Sequence, residues 1–272
     1  MPIKKEDNNI DRFSGFADYY DRYRPQSPSI VPGILINYLG KRPSLVIDLG
    51  SGTGLSTFIW KDYSEKVIGI EPNRDMLKKA QEKLNHYKVS DNVSFKYGLS
   101  NQTGIDPETV DIIICSQSLH WMEPLGTLEE AFRILIKGGV FAAFDCDWPP
   151  TVDYYVEESY KKLLLKADNI IRDNLDSKSK VKKWDKSDHL KNMEASGKFR
   201  FVKEIVFHNW EKSDSDRYIG LALSQGALQT VFKMKSGEIE KDIHEFEKII
   251  EERFSNKTLD ILFSYRLRVG IK

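Results

Sequence analysis

The sequence predicts an α/β protein: a doubly wound, seven-stranded, mostly parallel sheet with helices on both faces and a helical cap built from insertions around the sixth strand. Three observations carry this. Short apolar runs alternate with helical patterns through the first half of the chain, as in successive strand–helix–strand units. The first run, Leu45 to Leu49 (LVIDL), leads straight into a glycine-rich turn. After Pro149-Pro150 the pattern gives way to long charged stretches of helical spacing, interrupted by one strand-like segment.

The strands follow in order. Leu45 to Leu49 and Val67 to Ile70 are continuous runs rich in β-branched residues, as strands covered on both faces must be. Val93 to Tyr97 alternates instead, which points to a position near an edge. Ile112 to Cys115 and Val140 to Phe144 make the fourth and fifth strands, the last announced by Gly138-Gly139. Phe199 to Phe207 (FRFVKEIVF) is the sixth and Ile261 to Val269 the seventh. A helix is expected after the glycine turn. Asn73 can cap another, with Met76, Leu77, Ala80 and Leu84 along one face. Pro124 opens a third, with Leu128, Ala131, Phe132 and Leu135 toward the sheet. One domain over 1–272 is expected. Its core takes in about 30–148, 198–210 and 256–272, its helical cap about 150–197 and 212–255, and an N-terminal helix about 11–24.

Composition removes several function classes. Lys plus Arg and Asp plus Glu both number 41, so no excess positive field draws in a phosphate backbone or an anionic membrane surface. Neither nucleic acid nor membrane is an expected partner. No stretch approaches the ~20 apolar residues of a membrane span, and the start of the chain carries charge without an apolar signal core, so a cytoplasmic location is expected. The two cysteines, Cys115 and Cys146, sit in or beside strand-like runs and form no metal-ligand spacing; no metal is expected.

The chemistry centres on VIDLGSGTG, Val46 to Gly54. Glycines at 50, 52 and 54 permit a tight turn and let backbone N–H groups approach a ligand with no Cβ in the way, although such a triplet can also serve connectivity alone. Context favours a ligand. The next strand ends in Glu71, 21 positions after Gly50, and a carboxylate about 20 residues on reaches a ribose hydroxyl in such folds. A dinucleotide fingerprint would place its third glycine where Leu55 stands, and Asp48 puts negative charge where a pyrophosphate would lie; a nicotinamide-dependent oxidoreductase is therefore the weaker alternative.

Asp48-x-Gly50-x-Gly52-x-Gly54 followed by Glu71 resembles the first two motifs of class I S-adenosylmethionine-dependent methyltransferases, a Rossmann-like fold. The chain is similar to the subgroup that includes trans-aconitate methyltransferase, well over residues 13 to 145 and in outline beyond. The resemblance implies that Gly50, Ser51 and Gly52 lie against the methionine part of S-adenosylmethionine, with Asp48 beside its amino group. It implies further that Glu71 holds the ribose hydroxyls, with Pro72, Asn73 and Met76 following in the cofactor site. The family's acid after the third strand is replaced by Ser100-Asn101, so the adenine contact falls to Asn101 or to backbone. Phe13, Ala17, Tyr20, Arg24 and Pro25 match the subgroup's N-terminal pattern, spaced for one face of a helix. The resemblance implies a helix over the cofactor, Arg24 near its carboxylate and Tyr20 near the methyl; composition alone allows an amphipathic helix with Arg24 snorkelling.

Ser116 to Trp121 (SQSLHW) stands at the carboxyl end of the fourth strand, where open α/β sheets line their ligand crevice. Gln117 is expected at the cofactor, and His120 with Trp121 at the substrate. An imidazole of ordinary pKa (~6.5) suits a general base, and packing under the next helix is the competing role for His120. Trp148 walls the acceptor pocket or packs the cap. The expected reaction is methyl transfer to a small-molecule carboxylate, hydroxyl or amine by in-line displacement, by a monomer or homodimer. A module that binds the cofactor without catalysis is the remaining alternative.

Overall fold

The computed structural model describes residues 7–87, 91–174, 181–235 and 237–272. A seven-stranded sheet runs in the order β3-β2-β1-β4-β5-β7-β6. Its strands are β1 (Leu45–Leu49), β2 (Lys66–Ile70), β3 (Val93–Lys96), β4 (Val110–Ser116), β5 (Leu135–Cys146), β6 (Phe201–Ser213) and β7 (Leu259–Ile271). β1 to β5 pair in parallel, and β7 lies antiparallel to β5 from Val140↔Ile271 to Cys146↔Tyr265. The expected mostly parallel Rossmann-like sheet is present. Strand order turns back between β1 and β4, so their carboxyl ends border the crevice where such sheets take ligands.

The chain forms two compact units. One contains Gln26–Cys146, Lys182–Phe207 and Tyr265–Lys272; the other contains Met1–Pro25, Asp147–Val181 and His208–Ser264. In the first, the β-branched runs bury Ile47, Leu49, Ile113, Phe141 and Ala143 in one core. The β2-to-β3 crossover is α4 (Arg74–Tyr87), with Met76, Leu77 and Ala80 buried and Leu84 half-buried. Asn73 Oδ1 accepts the N–H groups of Asp75 and Met76 at 3.1 and 3.0 Å, the expected cap. This unit also holds α3 (Ile30–Leu39), α5 (Pro124–Ile134) and α7 (His189–Ala195). The second unit has its own aromatic core. There α6 (Tyr154–Asn174), α8 (Ser215–Leu223) and α10 (Glu240–Phe254) meet through Tyr160, Tyr218, Phe246 and Phe254, accompanied by α1 (Asp7–Asp11), α2 (Ala17–Tyr23) and α9 (Gly226–Lys233). The expected helical stretch from Val152 to Leu190 falls outside the described residues at 175–180.

Several boundaries differ from expectation. Only a 3-10 turn, Phe58–Asp62, follows the glycines in place of an α-helix. The hydroxyls of Ser56 and Thr57 bond the Asp48 carboxylate, the kind of side-chain bond that competes with helical backbone pairing. Leu135 begins β5 opposite Val110 and is not on the helix. Phe13 is not on a shared helix face with Tyr20 either, because Gly15 at φ +84° separates it from α2. β6 and β7 run longer than 199–207 and 261–269 suggest; pairing carries them through residues whose polarity hides the strand pattern.

Candidate active site

The turn after β1 is built by backbone geometry. Gly50 N–H donates to the Ile70 carbonyl at 2.8 Å, Gly54 N–H to Ser51 at 2.9 Å, and Gly52 N–H to Glu71 Oε2 at 2.8 Å. Gly50 takes φ +67°, and a Cβ there would stand 2.7 Å from Met122 Cε and 2.8 Å from Ser118 Cβ; the loop after β4 leaves no room for one. Gly52 takes φ +56°, a backbone that favours glycine, and a Cβ there would meet nothing within 4 Å, so its bare backbone is open to a ligand. Ser118 Oγ donates to the Leu49 carbonyl at 2.7 Å and joins the two loops.

Two buried carboxylates flank this turn. Asp48, fully buried, accepts Ser56 Oγ at 2.6 Å and Thr57 Oγ1 at 2.7 Å, both on Oδ2. Its Oδ1 has no hydrogen-bond partner among the described residues, nor has Ser51 Oγ. Burial pushes the Asp48 carboxyl up to about 6 against the opposing hydroxyl bonds. Glu71 accepts Gly52 N–H on one oxygen and Asn73 N–H on the other, at 2.7 Å, and burial raises it to about 7. An orphaned acceptor beside open backbone wants a cationic donor, and a carboxylate with lone pairs to spare wants hydroxyls. The amino group and ribose of S-adenosylmethionine fit both.

At the carboxyl end of β4, Gln117 adopts φ +54°; its Nε2 donates to Cys146 Sγ at 2.8 Å and its Oε1 accepts from Lys186 Nζ at 3.3 Å. His120 is buried. Its Nδ1 lies 3.2 Å from Asp145 Oδ1, within ion-pair reach but off the line of a hydrogen bond. Asp145 has three further neighbours: Lys186 Nζ at 3.1 Å, Arg268 Nη1 at 3.4 Å and His189 Nε2 at 3.7 Å. Burial opposes ionisation of Asp145, yet His120, Lys186 and His189 hold it well below the usual carboxylate range. Burial also lowers His120 to about 3, despite Asp145. The ordinary imidazole value behind the general-base expectation therefore does not apply: His120 is a neutral ring at physiological pH. Trp184 N–H donates to the His120 carbonyl at 2.9 Å, and Lys183 stands 5.6 Å from the centre of the half-buried Trp121 ring.

Residues 47–143 match the family model described as "Methyltransferase domain". This stretch resembles a methyltransferase domain. A Saccharomyces cerevisiae protein named "Probable S-adenosylmethionine-dependent methyltransferase" is 33% identical over 138 residues, 50% of this chain and 47% of the relative. A Dictyostelium discoideum protein provisionally named a methyltransferase is 27% identical over 138 residues, 51% of this chain and 50% of its own length. The chain thus spans about half the length of the curated relatives it matches. Among solved structures, a protein of Anaeromyxobacter dehalogenans provisionally named a type II methyltransferase superposes with TM-score 0.67 at 19% identity, over 92% of this chain and 98% of that one. The YcgJ protein of Bacillus subtilis gives 0.56 at 18%, over 89% and 97%. These two show a shared fold.

The remaining expected residues divide by what they touch. Asn73 spends its side chain on capping α4, and Met76 is buried at the first turn of that helix. Pro72 is half-buried between Glu71 and this cap. Ser100 Oγ pairs with Thr127 Oγ1 at 2.8 Å, whereas Asn101 is exposed and has no side-chain hydrogen bond among the described residues. In the other unit, Arg24 lies 5.2 Å from the Tyr20 ring centre and 4.6 Å from that of Trp148, and its buried Nη1 has no hydrogen-bond partner among the described residues. Trp148 stacks on Tyr160 and meets Phe263 edge-on, so it packs that unit's core. Asp145, Lys186, His189 and Arg268 were not among the expected site residues. The one available signal was a charge, Asp145, directly after the apolar run from Val140 to Phe144.

Proposed function

We propose that the chain is an S-adenosylmethionine-dependent methyltransferase acting on a small-molecule acceptor. The observation that carries this is the pairing of Gly52's open backbone with Glu71 at 2.8 Å, beside the orphaned Oδ1 of Asp48. The cofactor, when bound, supplies a methyl group made electrophilic by a cationic sulfur. Glu71 accepts the ribose hydroxyls with the lone pairs that Gly52 and Asn73 leave over. Asp48 takes the amino group, and Gly50 and Ser51 face the amino-acid moiety. By its family pattern, Arg24 is the candidate for the carboxylate. Asn101 is the candidate for the adenine amine, and Gln117 orients the cofactor's substrate side from the end of β4.

The remaining work is alignment and exclusion of water, which an in-line displacement needs more than acid–base help. The aromatic face of Trp121 favours a cationic centre. His120, held neutral, offers a hydrogen bond to an acceptor carboxylate, hydroxyl or amine. The zero charge balance supports a small acceptor over nucleic acid. A cytoplasmic monomer or homodimer belongs to the same reading. No helix among the described residues is long and apolar enough to cross a membrane.

Calorimetric titration with S-adenosylhomocysteine and, separately, NADH tests the proposal. Heat of binding with the first and none with the second is expected. No measurable affinity for S-adenosylhomocysteine or S-adenosylmethionine would sink it.

A further inference from the structure

Near the end of β5 three side chains from distant parts of the chain converge on one buried point. His120 follows β4, Asp145 lies in β5 and His189 begins α7; one ligand atom from each lies within 4.8 Å of the others. All three are at least nine-tenths buried. Their facing atoms, His120 Nδ1, Asp145 Oδ1 and His189 Nε2, have no hydrogen-bond partner among the described residues. A buried imidazole nitrogen normally finds a hydrogen bond, and two orphaned against one carboxylate need a reason.

We infer that His120, Asp145 and His189 form a binding site for a divalent transition-metal ion. Two imidazoles and one carboxylate are the donor set of open zinc and non-haem iron sites. Ligand atoms around a tetrahedral zinc stand about 3.4 Å apart, from bonds of about 2.1 Å. The two histidine-to-carboxylate separations, 3.2 Å from His120 Nδ1 to Oδ1 and 3.7 Å from His189 Nε2 to Oδ2, bracket that spacing, one on each carboxylate oxygen.

The cations around Asp145 fit this scheme. Arg268 is engaged elsewhere: its Nε donates to Glu204 Oε2 at 2.8 Å, and its Nη1 donates to the Arg266 carbonyl and to Oδ2 of Asp145, both at 3.4 Å. It steadies the carboxylate as outer-shell partners of metal ligands do. Lys186 Nζ, 3.1 Å from Oδ1, occupies the place of the metal's charge when no ion is bound. Its side chain is 26% exposed on a flexible stem, so it can swing to solvent as an ion enters. The ligand set comes from three residues, which leaves a coordination position open. The inference does not depend on the methyl-transfer reading.

The test uses the full chain, stripped with a chelator and titrated with zinc alone against a chromophoric competitor, then with cobalt alone while the visible spectrum is read. Uptake of one zinc per chain is expected, with intense cobalt absorption of low-coordinate nitrogen and oxygen ligation. His189→Ala and Asp145→Asn are expected to weaken zinc binding by at least the ~10- to 100-fold that loss of an outer-shell partner costs. Lys186→Met, which removes the competitor and no ligand, is expected to tighten it several-fold. That variant keeps the test decisive if Asp145→Asn fails to fold. Circular dichroism monitors the fold of each variant. Absence of zinc uptake by the unmodified chain, equal uptake by folded His189→Ala, or no tightening in Lys186→Met overturns the assignment.

Discussion

Glu71 accepts the backbone N–H of Gly52 at 2.8 Å, so the acid at the end of the second strand braces the tip of the glycine turn that it also flanks. Burial raises Glu71 to about 7, and this fixes the sign of a pH effect. The folded chain holds that proton more tightly than the unfolded chain. The associated stability is complete below the ordinary carboxylate value and is lost as pH rises through about 7.

Glu71→Gln cannot ionise, so it escapes this loss. Its amide adds a pH-independent cost where an N–H must face Gly52 or Asn73. Relative to the unmodified protein, its unfolding free energy is expected to improve by on the order of 2 kcal/mol between pH 5 and pH 8, read by denaturant titration of both. A constant difference across that range contradicts the raised value. The same variant should lose most of its affinity for S-adenosylhomocysteine.

Gly50 and Gly52 share the left-handed backbone and differ in surroundings, which separates folding from binding. Gly52→Ala meets nothing within 4 Å, so it is expected to cost only the ~1–2 kcal/mol of an L-residue in that conformation while blocking the approach of a ligand. Gly50→Ala adds contacts of 2.7 and 2.8 Å with Met122 and Ser118 and should destabilise by clearly more. Thermal melts rank the two. Calorimetry on folded Gly52→Ala should show weak or no cofactor binding.

His120 gives a prediction with the opposite pH sign. With its value lowered to about 3 by burial, the folded chain holds this ring's proton less tightly than the unfolded chain. The stability it contributes is full above the unfolded value near 6.5 and is lost as pH falls through about 3. Turnover should therefore show no imidazole limb between pH 5 and 8. His120→Ala should lower turnover without altering the shape of that profile. An activity rise through pH 6 to 7 that disappears in His120→Ala would restore the general-base role.

Much of the fold could be read from residue order because strands covered on both faces have no choice but to be apolar. β1, β2 and β4 show this at Val46, Ile68 and Ile113. The cradle was legible for a related reason: a bare backbone needs glycine, and a sugar-holding acid needs its set distance. β6 and β7 blurred at their ends, where exposed His208, Trp210 and Lys212 alternate without an apolar period. The helix after Gly54 failed because Ser56 and Thr57 bond Asp48, a contact that no periodicity records. The cluster at Asp145 was hidden more deeply. Residues 120, 145, 189 and 268 meet only after four elements have folded, and no spacing in the sequence links them.

That cluster supports a last prediction. Asp145 is ionised, 5% exposed and faced by Arg268 at 3.4 Å and Lys186 at 3.1 Å, while Arg268 itself is 3% exposed. Asp145→Asn keeps the volume and removes the charge. Lys186 can turn to solvent, but Arg268 cannot, and Glu204 is left as its one carboxylate, beside the Arg266 carbonyl at 3.4 Å. Removing one partner of a buried pair costs about 3–5 kcal/mol, and the surviving Glu204 contact puts the expected loss near the lower end. Asp145→Asn combined with Arg268→Met removes the stranded cation, so it should be more stable than the sum of the two single losses implies. A double-mutant cycle by denaturant unfolding measures that coupling. Strict additivity would mean that Arg268 is held by Glu204 and not by Asp145.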